Sequence, residues 1–203
     1  MPSSYTPLGV ELMVTGEQAG LWGDKTNTNL NILSQIVGGY NSQAVNGTGD
    51  TPLNVSDGAT GATVANRIIE LTGTITGNIT VSIPLDVENF YIIKNSTSGA
   101  FTVEFQYTSG SGTSVTFSST DKGTKFVYAK ADDGTNPNIV DVFSEFSQIN
   151  LVNRNELRFQ DATGGQYVGL RAASTVGSSF TLNLPTADAS SSGQALVSDS
   201  SGN

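Results

Sequence analysis

The chain contains no cysteine and no histidine. The first absence removes disulfides, thiolate metal sites and a cysteine nucleophile. The second removes the commonest general base and the commonest transition-metal ligand. Without histidine no Ser-His-Asp triad can form, and neither a Gly-x-Ser-x-Gly elbow nor a phosphate-binding Gly-Lys-Ser/Thr loop is present. Positive charge is scarce: 9 Lys and Arg stand against 18 Asp and Glu, for a net charge of −9. That balance repels a phosphate backbone, and no Lys/Arg cluster offsets it, so the sequence argues against nucleic-acid binding. It offers no basic amphipathic helix for a membrane surface. No apolar run approaches the roughly 20 residues of a spanning helix. The first residues, Met1-Pro2-Ser3-Ser4-Tyr5-Thr6-Pro7, lack the basic and apolar regions of a signal peptide, and the expectation is a protein made in the cytoplasm. Charged residues are 13% and hydrophobic ones 36% of the 203. That is too polar for one large core and too rich in β-branched residues for disorder, which points to turn-dense β modules with apolar surface shared between chains.

One stretch carries a helical signal, Gly16 to Tyr40, and it holds the only tryptophan, Trp22, between Gly20 and Gly23. Asp24 can serve as N-cap. Leu30, Leu33 and Val37 fall on one side of the helix and Ile32 and Ile36 on a neighbouring stripe. Gly38-Gly39 is expected to stop the helix in a left-handed cap. A helix of about 12 residues is marginal alone. Two apolar rows on so short an element predict neighbours on both sides, as when a helix packs against copies of itself.

Thr15-Gly16-Glu17-Gln18-Ala19-Gly20-Leu21-Trp22-Gly23-Asp24-Lys25-Thr26-Asn27-Thr28-Asn29-Leu30-Asn31 resembles the N-terminal segment of tail-fibre and related tail structural proteins of marine tailed bacteriophages, notably cyanophages. That pattern runs T-G-E-x-A-G-x-W-G-x-K-T-N-x-N-L-N. The resemblance implies a structural virion protein rather than a defined chemistry. It implies a homotrimer whose N-terminal module, with Trp22, Gly20, Gly23, Asp24 and Leu21, attaches to adaptor, nozzle or baseplate proteins of the tail.

Before the helix, alternation of Leu8, Val10, Leu12 and Val14 fits a half-buried strand, either covering the helix or added to another protein's sheet. Residues 1–45 are read as the attachment module and the turn-rich residues 46–65 as a linker. Seven alternating segments recur between residues 66 and 147, which favours an antiparallel β-sandwich or barrel. Leu71 to Pro84 and Phe90 to Val103 resemble successive phrases of a small phage-tail β-domain, the first of them a hairpin. Tyr91, Phe101, Phe105 and Tyr107 have core spacing, with a sugar-stacking platform as the other reading. Residues 148–203 resemble a repeated fibre module, "L-R-F-x-D…Y-V-G-L-R-A" followed by "T-L-x-L-P-x-A-D". Its strands hold too few apolar residues to fold alone, and three copies intertwined around an axis would share one core. The pattern is expected to continue beyond Asn203.

The fold expected is therefore mainly β, with a short N-terminal helix, a sandwich or barrel and a trimeric fibre module. Trimer contacts are assigned to Leu30, Leu33, Ile36, Val37, Tyr167, Leu182 and Leu184. The function expected is the tail-proximal part of a fibre that supports host recognition, located on the virion tail, with no enzymatic activity, cofactor or metal. Two carboxylates suffice for a glycosidase, and 18 acidic residues leave that route open on composition alone. Asp132-Asp133-Gly134-Thr135-Asn136-Pro137-Asn138 is oxygen-rich, as calcium requires, but it lacks EF-hand spacing and reads as a hairpin tip. The alternatives are a module that binds host surface glycans and a fibre or decoration protein attached to the capsid.

Overall fold

The computed structural model describes residues 2–161, 165–179 and 181. The chain divides into two compact units, Met1–Phe146 and Ser147–Asn203. The protein is mainly β.

The first unit opens with β1 (Ser4–Tyr5) and β2 (Glu11–Leu12), a short antiparallel pair. Helix α1 (Trp22–Gly38) follows. Then come β3 (Tyr40–Ala44), β4 (Gly47–Pro52), a 3-10 turn at Thr63–Ala65, β5 (Ile68–Thr72), β6 (Ile75–Ile83), β7 (Asn89–Asn95), β8 (Val103–Tyr107), β9 (Val115–Phe117), β10 (Thr124–Ala129) and β11 (Ile139–Asp141).

The strands sort into two sheets, ordered β11-β10-β7-β5-β3 and β4-β6-β8-β9. Through β8 the chain alternates between them. Consequently β3, β5 and β7 pair in parallel in one sheet, and β4, β6 and β8 in parallel in the other. Three strand–corner–strand coils stack on one another, the arrangement of a short two-sheet β-solenoid. The last pairs, β8 with β9 and β7 with β10 and β10 with β11, are antiparallel. The expected antiparallel sandwich or barrel is thus corrected in strand direction: each sheet is parallel from one edge, β3-β5-β7 and β4-β6-β8, and antiparallel only beyond it.

The corners explain the pairing. Leu71 to Pro84 does not form a hairpin, because β5 and β6 lie in different sheets. Gly73 makes the bend at φ +107°, where a Cβ would meet Val45 O at 2.7 Å. Main-chain bonds then join each corner to the next coil: Val45 N–H donates to Thr72 O, Ser96 N–H to Leu71 O and Ser98 N–H to Gly73 O, each at 2.8 Å. Asparagines repeat the device, with Asn46 Oδ1 accepting from Thr74 N–H at 3.0 Å and Asn78 Oδ1 from Thr102 N–H at 3.2 Å.

Inward-facing residues alternate as the sequence indicates. Ile69, Leu71, Tyr91, Ile93 and Val127 meet Ile79, Val81, Val103, Phe105 and Phe117 in one buried cluster. Tyr91 touches Phe105 edge-on, with ring centroids 5.6 Å apart, and its buried hydroxyl donates to Val64 O at 2.9 Å. Tyr107 is buried as well, donating to Val87 O at 2.9 Å. These rings are core rather than a sugar platform.

Residues 46–65 are not a linker. They contain β4 and the 3-10 turn, and Leu53, Ala62, Val64 and Ala65 are buried in the core. Within β3 and β4 themselves, however, the positions in register with core residues are not apolar. Asn41 and Gln43 sit in register with the buried Ile69 and Leu71, and Gly49 and Thr51 with Ile79 and Val81. Polar residues at core-facing positions are what a terminal coil needs where no further coil covers it.

The helix also departs from expectation. Its N-cap is Leu21, with no side-chain cap bond, and Asp24 lies inside the first turn. There the carboxylate still faces the positive end of the helix dipole. Gly39 is extended, at φ −66° and ψ 147°, rather than left-handed. It is glycine for space: a Cβ would meet Asn66 Oδ1 at 2.5 Å and Gln35 O at 2.7 Å.

In the second unit, β12 (Leu157–Gln160) and β13 (Tyr167–Leu170) form an antiparallel pair. All eight of their residues are exposed. An isolated two-stranded hairpin is marginal in water, so this unit has apolar strands without a core among its described residues.

Candidate functional site

The residues of the Gly16–Asn31 motif divide into those that hold the N-terminal segment together and those that it displays. The holding group centres on Glu11, only 3% exposed. Lys25 reaches its carboxylate at 3.0 Å and Gln18 donates to it at 2.9 Å. Asn29, one turn after Lys25 on the same helix face, closes the main chain on both sides. Its Oδ1 accepts from Glu11 N–H and its Nδ2 donates to Glu11 O, both at 2.9 Å. Ser3 donates to Glu17 at 2.7 Å.

The Lys25 ammonium holds the Glu11 carboxyl below its ordinary range, against the opposing effect of burial. Hydrogen bonding to Glu11 in turn raises Lys25. An isolated buried carboxylate would be very costly; here it is paired and hydrogen-bonded, so it fixes the loop to the helix.

This arrangement corrects the expected strand over Leu8–Val14. Only Glu11 and Leu12 are extended in pairing, and the phase is reversed, with Glu11 buried and Leu12 exposed. Leu8 does pack against the main core. Gly9 permits the turn, at φ +82° and with a Cβ that would meet Ser56 O at 2.6 Å. A lone acid within the Leu8-Gly9-Val10-Glu11-Leu12 run, and a Lys25/Asn29 pair at helical spacing, were the available signals for this latch.

The displayed group is apolar. The Trp22 indole is 64% exposed and Leu21 beside it is exposed, so the tryptophan fills no core of its own chain. Gly20 turns the chain at φ +79°, and open space surrounds both Gly20 and Gly23. Of the two helix rows, Ile32 is buried and Ile36 packs against the core. Ile36 therefore belongs to the chain's own interior and not to a free contact row. Leu30, Leu33 and Val37 are 58%, 44% and 74% exposed. They line a shallow groove with Gly38 and Gly39. Their i, i+3, i+7 spacing is that of a coiled-coil seam, and no charged residue occurs from Thr26 to Gly39.

In the second unit Tyr167 is exposed, its hydroxyl donating to Glu156 at 3.1 Å and its ring 4.3 Å from the Arg158 guanidinium carbon. Leu182 and Leu184 lie outside the described residues.

The acidic loop spends its oxygens on itself. Asp132 accepts from Asn138 N–H at 2.9 Å and pairs with Lys130 at 2.9 Å, while Asp133 accepts from Thr135 and Asn136 N–H groups. Those bonds, led by the Asn138 amide, hold the Asp132 carboxyl well below its usual range. Among the described residues, no group of three or more His, Cys, Asp or Glu could hold a metal, and no helix is long and apolar enough to cross a membrane.

The geometry presents exposed apolar side chains on a braced helix, which is the chemistry of a contact surface. No family model, no curated protein and no solved structure matches this chain.

Proposed function

We propose that the chain is a structural component of a bacteriophage tail fibre, its tail-proximal part, which assembles as a homotrimer and fastens the fibre to tail proteins. One observation carries the reading. The N-terminal motif spends Lys25, Asn29 and Gln18 on bracing, and leaves Trp22 and the Leu30/Leu33/Val37 row exposed. Bracing lowers the entropy lost when a surface is captured. Trp is enriched among residues that dominate interfaces.

The two faces have separate roles. The Leu30/Leu33/Val37 row contacts the same row of two further copies, and Trp22 with Leu21 contacts the tail. The exposed β12–β13 pair fits the same assembly, since three copies could bury together what one leaves in water. The proposal includes no catalysis: the protein would work by shape and attachment.

Trp22→Ala tests the docking role. Trp22 is exposed and takes no part in the core cluster, so the variant should fold, and phage carrying it should yield particles that lack fibres. Particles with a full fibre complement would remove Trp22 from the attachment.

A further inference from the structure

Two of the levels of side chains on the outside of the five-stranded sheet differ sharply in character. At one level, the register neighbours Tyr40, Ile68, Ile92 and Phe126 make an unbroken apolar row across β3, β5, β7 and β10. At the next, Ser42, Glu70 and Lys94 are polar, with Glu70 and Lys94 paired at 3.1 Å. Beyond Phe126 the row continues into Phe143 and Phe146. The Phe126–Phe143 centroids are 4.9 Å apart, and Phe143–Phe146 are 5.8 Å apart with planes within 7°. Phe143 and Phe146 are exposed and Ile68, Ile92 and Phe126 only half-buried. Parallel strands are normally covered on both faces. Here the inner face is filled by the core, while the outer one is apolar and open.

We infer that this face, from Tyr40 to Phe146, is a contact surface between copies of the chain. The inference rests on the self-assembly proposed above and names a surface for it beyond the helix.

Charge favours a second copy over another partner. With a net charge of −9, identical chains repel across most of their surface. This face holds one neutralised pair, and the Arg67 guanidinium lies 5.8 Å from the Phe90 ring centroid while donating to Phe90 O at 2.6 Å. Tyr40, Ile68, Ile92 and Phe126 themselves carry no charge, so identical acidic chains repel least along this row. Connectivity agrees. Phe146 ends the first unit, and the exposed β12–β13 pair begins at Leu157. The intervening residues, 147–156, extend to about 35 Å at most. Copies that share a core through β12 and β13 therefore keep their first units on tethers of at most about 35 Å, which raises the local concentration of one such face against another.

The test is sedimentation of the full chain at micromolar concentration, comparing wild type with Phe143→Asp/Phe146→Asp. Both rings are exposed, so folding, checked by circular dichroism, should persist, while the concentration needed for assembly should rise at least about tenfold if these rings lie at the centre of the contact. A second measurement is independent of that folding. Val140 is exposed and pairs with Tyr128 in the sheet, and the chain has no cysteine, so Val140→Cys should give a covalent dimer with a short bis-maleimide, whereas Thr48→Cys in the other sheet should not. A wild-type trimer with an unaffected double variant and no Val140→Cys cross-link overturns this surface but leaves the assembly reading standing. A wild-type monomer overturns both. If the double variant assembles normally but loses binding to host polysaccharide, the face is a sugar platform and the inference is wrong.

Discussion

Phe105→Ala is the most informative change to the solenoid core. Phe105 sits on β8, flanked by β6 and β9, with its ring 1% exposed and edge-on to Tyr91 of the opposite sheet. Burying a phenylalanine removes about 150–250 Å² from water, which at about 25 cal/mol per Å² corresponds to roughly 4–6 kcal/mol for the whole side chain. Truncation to alanine retains part of that and leaves a cavity, for a net loss of about 3–5 kcal/mol. The upper half of that range is expected, because the neighbour best placed to fill the hole is fixed: the Tyr91 hydroxyl is bonded to Val64 O. A domain has a stability of about 5–15 kcal/mol, so the loss should lower the urea midpoint by about a quarter or more. The assay is equilibrium unfolding of the full chain followed by far-ultraviolet circular dichroism. A loss under about 1 kcal/mol would show that the two sheets do not meet through these rings.

Further outcomes follow from the same geometry. The Glu11 carboxyl is lowered, so its pairing contributes stability above the ordinary carboxylate range and loses it as pH falls through the depressed value; Lys25 is raised, so its share is lost as pH rises through the elevated value. Protection factors of the Leu8–Gln18 amides, corrected for intrinsic exchange, should fall at both extremes, and Glu11→Gln should flatten the acid limb; an unchanged acid limb would contradict the latch. Glu70 is held down to about 2, by Ser96, Tyr40 and Lys94 in that order, so Tyr40→Phe should raise its titration as read by carboxyl nuclear magnetic resonance, and no movement would argue against that bond. Gly39→Ala places a methyl against Gln35 O and Asn66 Oδ1 and should cost about 1–3 kcal/mol in thermal unfolding; a neutral result would mean the helix end relaxes freely.

Periodicity located the helix and most of the strands because side-chain direction is fixed locally: Ile69/Leu71, Tyr91/Ile93 and Val103/Phe105 alternate in both sequence and structure. Pairing direction was not legible, since a strand alternates identically whether its neighbour runs parallel or antiparallel. Leu71 to Pro84 resembles a hairpin phrase, yet Gly73 bends the chain between sheets and leaves β5 and β6 to pair with strands from other coils. Residues 46–65 read as linker because β4 places Gly49 and Thr51, not apolar residues, in register with the buried Ile79 and Val81, which hides the β pattern. At the candidate site, helical spacing separated the Ile32/Ile36 stripe from the Leu30/Leu33/Val37 stripe, but it did not show that Ile32 and Ile36 pack into the chain's own core, because spacing carries no information on what covers a stripe. The Glu11 latch was not legible, because its partners Gln18, Lys25 and Asn29 are polar residues whose meeting depends on a turn at Gly9.

The central claim is that the apolar row on α1 and the exposed β12–β13 strands exist to be covered by identical copies. Sedimentation equilibrium of the full chain at micromolar concentration tests it most directly. The account predicts a mass about three times the 21.1 kDa of one chain; a stable single chain of 21.1 kDa under those conditions would contradict it.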